Sequence, residues 1–321
     1  MRLEDIGFYT LSDERARSTS PTSPMQRCEV LITGICNFRC PYCREPREDP
    51  RKHAPLEDIL KVIDLWADDG LVNIRFSGGE PTTHTYLRQM VEHAKARGIQ
   101  RIALSTNGSA RPRHYRRLVE AGVNDFSISL DACCASQGDE MAGREGKFDR
   151  VVSNIRMLSE LTYVTVGVVL TEENVGDVKD IVRFAHDLGV ADIRIISAAQ
   201  YNVLLEGVLG IEDDILEAHP ILRYRVENIK EGRNVRGLSN KDPHTCHLAQ
   251  DDSMVVGRHH YPCIIHMREG GAPVGDVGPN MRQERIAWMK THDPHQDPIC
   301  KANCLDVCQD YNCRVQEFRN S

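Results

Sequence analysis

The chain has no run of 18 apolar residues, so no membrane-spanning helix is expected. Its start, MRLEDIGFYT, and the polar ERARSTSPTSP that comes soon after hold no apolar h-region and no small-residue cleavage site, so no secretory signal is expected and the protein should be cytoplasmic. There is no basic excess. Forty Lys and Arg against 47 Asp and Glu leave −7, with a pI near 6.0, whereas nucleic-acid binding needs a clustered basic surface. Neither a nucleic-acid nor a membrane partner is therefore expected. No internal repeat is found, and no low-complexity stretch beyond the loop-like STSPTSP at 18–24.

What the chain does have is cysteine, twelve in 321 residues. In a reducing compartment structural disulfides are not expected, which leaves metal ligation, catalysis or small apolar packing. Spacing sorts them. Cys36, Cys40 and Cys43 form one group, and Cys300, Cys304, Cys308 and Cys313 a second. Cys246 and Cys263 stand between, while Cys28, Cys133 and Cys134 read as packing residues.

With 40% hydrophobic residues, the length allows one full core plus a smaller module, or two domains. Residues 1–27 read as a mobile or loosely docked arm. From 28 the pattern alternates. CEVLIT (28–33), VNIRFS (72–77), RIALST (101–106), DFSISL (125–130), VTVGVVLT (164–171) and ADIRIIS (191–197) read as strands. Between them lie helical patterns over 56–69, 86–96, 114–121, 148–161 and 175–188. Such connections are too long for hairpins, so the sheet should be parallel. Several strands look apolar on both faces, as when helices or a barrel interior cover each side. Gly70, Gly98, Gly122 and Gly189 sit where helix C-cap glycines belong. An open doubly wound sheet and a partial barrel of six βα units both fit. Residues 198–245 show one helix, Asp213 to His219, in a polar linker region (201–245), and 246–321 hold the second cysteine set.

GICNFRCPYCRE (34–45) follows the first strand, at the carboxyl end where parallel α/β folds build active sites. C-x3-C-x2-C offers three thiolates, one fewer than closes a four-iron cluster, which would leave an iron open to a small molecule. Zinc with a distant histidine, and plain packing, remain as alternatives.

The text CNFRCPYC resembles the signature of the radical S-adenosylmethionine superfamily, with Tyr42 at its aromatic position. FSGGEPT (76–82), LSTNGS (104–109) and SISLDA (127–132) resemble further family segments, each at the end of the expected strand. The resemblance covers roughly residues 28–200 and implies a partial (β/α)6 barrel of class α/β. It implies a [4Fe–4S] cluster on Cys36, Cys40 and Cys43 and S-adenosylmethionine on its open iron. Gly78 and Gly79 would let backbone meet the methionine part, and Glu80 would pair with its ammonium. Asn107 and Ser129 would face the same rim, Asp131 would accept from ribose hydroxyls, and Tyr42 would pack near adenine. Gly167 would lie along the adenine on the fifth strand. Arg194 would reach the cofactor carboxylate or a substrate. Asn107-Gly108 also reads as an ordinary turn.

In the tail, CHLAQDDSMVVGRHHYPC reads as a hairpin turning at Gly257-Arg258. Cys300, Cys304 and Cys308 recur every fourth residue, which places them on one face of one helix. The layout resembles the SPASM and twitch extensions of the superfamily and implies one auxiliary cluster. Its ligands would come from Cys246, Cys263, Cys300, Cys304 and Cys308, with Cys313 spare. Zinc is the rival, since His244, His247, His259, His260 and His266 lie near. The resemblance implies an enzyme, an oxidoreductase or lyase, that forms a 5′-deoxyadenosyl radical with electrons from a reductant such as flavodoxin or ferredoxin. The GTP cyclases of the family carry C-x2-C-x13-C and a glycine-rich end, absent here, and peptide-modifying members often carry a longer leading domain. The expected substrate is therefore a small molecule such as a sugar or nucleoside. A peptide- or protein-modifying maturase is the alternative, and a non-catalytic iron–sulfur or zinc scaffold is the alternative of another class.

Overall fold

A computed structural model describes residues 13–44, 52–201 and 205–321. A short helix α1 (Asp13–Ser18) precedes six βα repeats: β1 (Arg27–Thr33), α2 (Leu56–Asp68), β2 (Asn73–Gly78), α3 (Leu87–Ala96), β3 (Arg101–Thr106), α4 (Pro112–Ala121), β4 (Asp125–Ser129), α5 (Ala135–Ala142), α6 (Phe148–Ser159), β5 (Tyr163–Leu170), α7 (Val178–Asp187) and β6 (Asp192–Ser197). Then come α8 (Asp213–Ala218), α9 (Pro220–Lys230), β7 (Asp252–Val256), β8 (His259–Tyr261), α10 (Ile264–Arg268), β9 (Gly275–Asp276), α11 (Met281–Thr291), α12 (Pro298–Asn303) and α13 (Asp306–Asn320). None of the described helices is long and apolar enough to cross a membrane.

The helices form where the periodicity demands them. On α2 the residues Ile59, Val62, Ile63 and Trp66 share one buried face, with Glu57 and Asp58 favourably placed in the first turn. Pro112 opens α4, and Gly122 closes it at φ 136°.

The sheet order is β6-β5-β4-β3-β2-β1-β7-β8-β9. Strands β1 to β6 run parallel and in sequential order, without the reversal of a doubly wound sheet. The sheet is open, and its first six strands are the staves of a partial (β/α)6 barrel. The hairpin β7–β8 turns where expected, but it is not a separate sheet. Strand β7 pairs parallel with β1, from Arg27↔Asp252 to Leu31↔Val256.

The strands are not apolar on both faces. The outer face carries Val30, Ile32, Ile74, Phe76, Ile128 and Val166, all fully buried against helices in the main core. The register aligns the opposite, inner face as Glu29, Arg75, Asp125, Ser127, Thr165 and Arg194. Sequence runs such as VTVGVV hid this alternation, because Gly167 and Thr165 stand where charges stand on other strands.

Three further expectations change. The described part of the N-terminal arm is docked: Ala16 is buried with Leu248, Tyr311 and Val315, and Arg15 pairs with Asp251 at 2.6 Å. Residues 1–12 lie outside the described set. Residues 198–245 hold a second helix, α9, which buries Ile221, Leu222, Val226 and Ile229. Cys300, Cys304 and Cys308 do not share one helix. Cys304 caps α12 with extended backbone, and Leu305 is extended too because it bridges to Arg236.

Candidate active site

The three-cysteine loop leaves β1 over the carboxyl ends of the strands. Cys43 N–H donates to Cys40 O at 3.0 Å, closing the turn. Other segments hold the loop down. Arg39 N–H donates to Ala142 O at 2.9 Å. Gly143 (φ 56°) is where it is because any Cβ would lie 2.3 Å from Arg39 O. Asn37 donates to Ser109 Oγ and accepts from Asn107 Nδ2, both at 2.8 Å. The Tyr42 hydroxyl donates to Asp131. None of the three is in a disulfide, with Cys36 and Cys43 exposed and Cys40 half-buried. Burial pushes the Cys36 thiol up, and it pushes Cys40 to about 12 with help from Asp131 and the neighbouring cysteines. All three line the same cavity, and a metal bound to them would displace their protons.

The GGE segment lies alongside. Gly79 N–H donates to Thr33 O and Glu80 N–H to Ile35 O, both at 2.8 Å. A Cβ on Gly78 or Gly79 would lie 2.2 Å from Thr33 O or 2.4 Å from Ile35 O. The glycines thus permit close approach first to the root of the cysteine loop. Glu80 is held by donors within the protein. It is fully buried, and its Oε1 accepts from Thr82 N (3.0 Å), Thr82 Oγ1 (2.6 Å) and Thr106 Oγ1 (2.7 Å), while Oε2 accepts from Asn107 N (2.7 Å). It ties the loops after β2 and β3 together and does not stand in the cavity wall. Burial raises its carboxyl, and these donors pull the other way.

Cys36, Cys40, Cys43, Tyr42, Gly78, Gly79, Asn107, Ser129 and Asp131 all line one cavity of about 440 Å³. Ser129 is exposed in it, opposite Gly167 in the register. Asp131 Oδ1 accepts from Val169 N at 2.7 Å, and burial lifts its carboxyl to about 6 against that bond and Tyr42's.

The inner face of the sheet forms the cavity floor. Eight cationic side chains line it against four acidic ones. Arg27 pairs with Glu29 at 2.7 Å and with Asp252 at 2.8 Å, and Arg75 with Asp125 at 3.0 Å. Arg225 pairs with Asp306, and Arg44 with Glu269. Arg194 reaches Ser127 Oγ at 3.4 Å, and its buried Nε has no partner among the described residues. Burial, then Arg75, push Arg194 down to about 10; burial, then Arg44, do the same to Arg236. The sequence reading singled out Arg194 but missed Arg225, Arg236 and Arg268, which no motif marks. It also missed Asn37, which stands inside the motif.

The cavity reaches the second cysteine set, since Cys263 and Cys308 line it. Behind them Cys246, Cys263, Cys300, Cys304 and Cys308 surround a second, small cavity. Burial raises Cys246 to about 11, and Cys308 adds to it; Cys263 and Cys300 also rise. Cys313 stands apart, beside Asp242 and Asp310. Cys28 is buried in the core and Cys133 packs against it, but Cys134 is exposed at the start of α5. Of the neighbouring histidines, His244 meets Asp293, His259 meets Asp276 and His260 meets Glu284, while His247 is buried against Arg319.

Residues 30–185 match the model of the Radical SAM superfamily. The chain is 27% identical over 177 residues to the "Probable GTP 3′,8-cyclase" of Metallosphaera sedula, covering 54% of this chain and 56% of that one. It is 27% identical over 222 residues to the "PqqA peptide cyclase" of Bradyrhizobium diazoefficiens, covering 68% and 58%. The chain thus spans a little over half the length of these curated relatives. Among solved structures, anSMEcpe with bound AdoMet superposes at a TM-score of 0.63 with 14% identity, over 92% of this chain and 96% of that one, a likeness of fold. Superfamily members bind a [4Fe–4S] cluster and S-adenosylmethionine. Residues 30–185 thus form a Radical SAM domain, and behind it the chain carries a cysteine-rich region consistent with a SPASM/twitch-like extension.

Proposed function

We propose that the protein cleaves S-adenosylmethionine to a radical that abstracts hydrogen from a small, anionic metabolite. The observation that carries this reading is the one cavity that holds the three-thiol loop and whose lining carries excess arginine. Its volume suits a metabolite-sized ligand. Arginines whose charge is disfavoured by burial and by one another favour a phosphate or carboxylate, which restores the balance. The relatives named GTP 3′,8-cyclase act on an anionic nucleotide by name, which agrees with this charge.

In this reading residues 28–200 are the radical domain, 201–245 a joining segment and 246–321 the auxiliary-cluster region, with 1–27 as an arm. Cys36, Cys40 and Cys43 hold a [4Fe–4S] cluster, and the donor set fits it, being three cysteines outside any disulfide, on one loop at the cavity wall. When bound, that cluster supplies the electron and the open iron site needed to cleave S-adenosylmethionine, fed by a reductant such as flavodoxin or ferredoxin. Gly78, Gly79, Asn107, Ser129, Tyr42 and Asp131 surround the cofactor, and Glu80 sets the loops that carry them. Arg194, Arg236 and Arg268 orient the substrate anion. The walls exclude water from the radical's path. Cys246, Cys263 and their neighbours hold an auxiliary cluster.

The test is anaerobic. Reconstituted protein with dithionite and S-adenosylmethionine should release 5′-deoxyadenosine, faster with phosphorylated or carboxylated metabolites, and Cys36→Ala should release none. Release stimulated by a peptide and by no metabolite would reject the substrate class. No release at all would reject the enzyme.

A further inference from the structure

Five thiols surround the small cavity, one more than closes a four-iron cluster. Cys300 has a second environment. Its Sγ lies 3.6 Å from His292 Nε2. His292 Nε2 is 3.5 Å from Asp297 Oδ2, and His266 Nε2 is 3.2 Å from the same oxygen. Donor atoms of His266, Asp297 and Cys300 all lie within 4.8 Å of one another. The His292–Asp297 separation exceeds the ordinary hydrogen-bond length between nitrogen and oxygen. A tetrahedral zinc ion, with bonds of about 2.0–2.1 Å to nitrogen and oxygen and about 2.3 Å to sulfur, sets its ligand atoms roughly 3.3–3.6 Å apart. The three contacts at 3.6, 3.5 and 3.2 Å sit at or beside those values.

The donors are also prepared. Asp297 Oδ1 caps α12, accepting from Ile299 N at 2.7 Å and Cys300 N at 3.0 Å, which leaves Oδ2 turned to both imidazoles. The His292 ring stacks on Trp288, with centroids 3.9 Å apart and planes at 18°. His266 is buried. The four residues come from α10, the end of α11 and the start of α12. Helix α10 has five residues, and α12 buries none of its side chains, so apolar packing does little to hold α12. An ion bridging all three would supply that fixation.

We propose that His266, His292, Asp297 and Cys300 form a structural, four-coordinate zinc site, leaving Cys246, Cys263, Cys304 and Cys308 to hold the auxiliary cluster. Only the second half rests on the cluster reading above. Binding releases the Cys300 proton to solvent and consumes no electron.

The experiment is zinc and iron counting on the anaerobically purified, iron-loaded full chain. Wild type should hold about one zinc. His292→Ala and Asp297→Asn should lose it and keep their iron, whereas Cys246→Ala should lose about four irons and keep zinc. Should the histidine and aspartate variants fail to fold, Co2+ given to the iron-loaded wild type reads the same site through the visible bands of tetrahedral, thiolate-bound Co2+. Absence of zinc even after equilibration with zinc chloride, octahedral Co2+ spectra, or loss of about four irons in Cys300→Ala would overturn the proposal. About four irons with one zinc in wild type would overturn the auxiliary cluster alone and leave the zinc site standing.

Discussion

Glu80 shows how one buried carboxylate can organise a site without facing it. Four donors converge on it from the loops after β2 and β3. Removing the acceptor leaves buried N–H and O–H groups unpaired, each costly. Glu80→Ala should therefore lower stability by about 3 kcal/mol, read as a shift in the urea midpoint. A loss below about 1 kcal/mol would mean that water replaces the ties. The GGEP text made this residue conspicuous, yet its job was not legible. Its partners Thr106 and Asn107 lie one βα unit further along, and only the register of β2 with β3 brings them to it.

At the scale of elements, α1 and the α12–α13 junction mark where local pattern stops being enough. Helix α1 has six residues and would not persist alone. It is held by the Arg15–Asp251 pair, whose members are 7% and 1% exposed, and by Ala16 against α13. Arg15→Ala strands a carboxylate that burial already pushes upward. It should cost about 3–5 kcal/mol in chemical denaturation, and a change within about 0.5 kcal/mol would show that α1 docks by apolar contact alone. The junction is the converse case. Three cysteines at fourfold spacing imply one helix, and α12 does start before them, with Asp297 as cap and Pro298 first. The break at Cys304–Leu305 has no local signal. It follows from pairing with Arg236 and from Asp306 N–H donating to Val235 O at 3.1 Å, contacts across some seventy residues.

Over the whole molecule, one nine-stranded sheet joins the radical domain to the cysteine-rich region through the β1–β7 pairing, so one cavity sees both cysteine sets. Arg194, Arg225, Arg236 and Arg268 reach it from β6, α9, the segment after it and α10. If they hold an anion, Arg194→Ala and Arg236→Ala should each raise KM about tenfold or more, with a smaller change in kcat, since a charge-assisted bond contributes about 1.5–3 kcal/mol. An unchanged KM, compared at fixed ionic strength, would count against them as the substrate clamp. The sequence by itself determined the Radical SAM resemblance, the succession of strands along the chain and the loop that carries Cys36, Cys40 and Cys43. Those features are local: three thiols within eight residues cannot be far apart, whatever the rest of the chain does. Tertiary structure alone decided which face of each strand is polar, that Glu80 serves the loops, that Cys300 stands among histidines, and that distant arginines meet. Those depend on strand register and helix docking, where the energy comes from contacts between segments that no local spacing encodes.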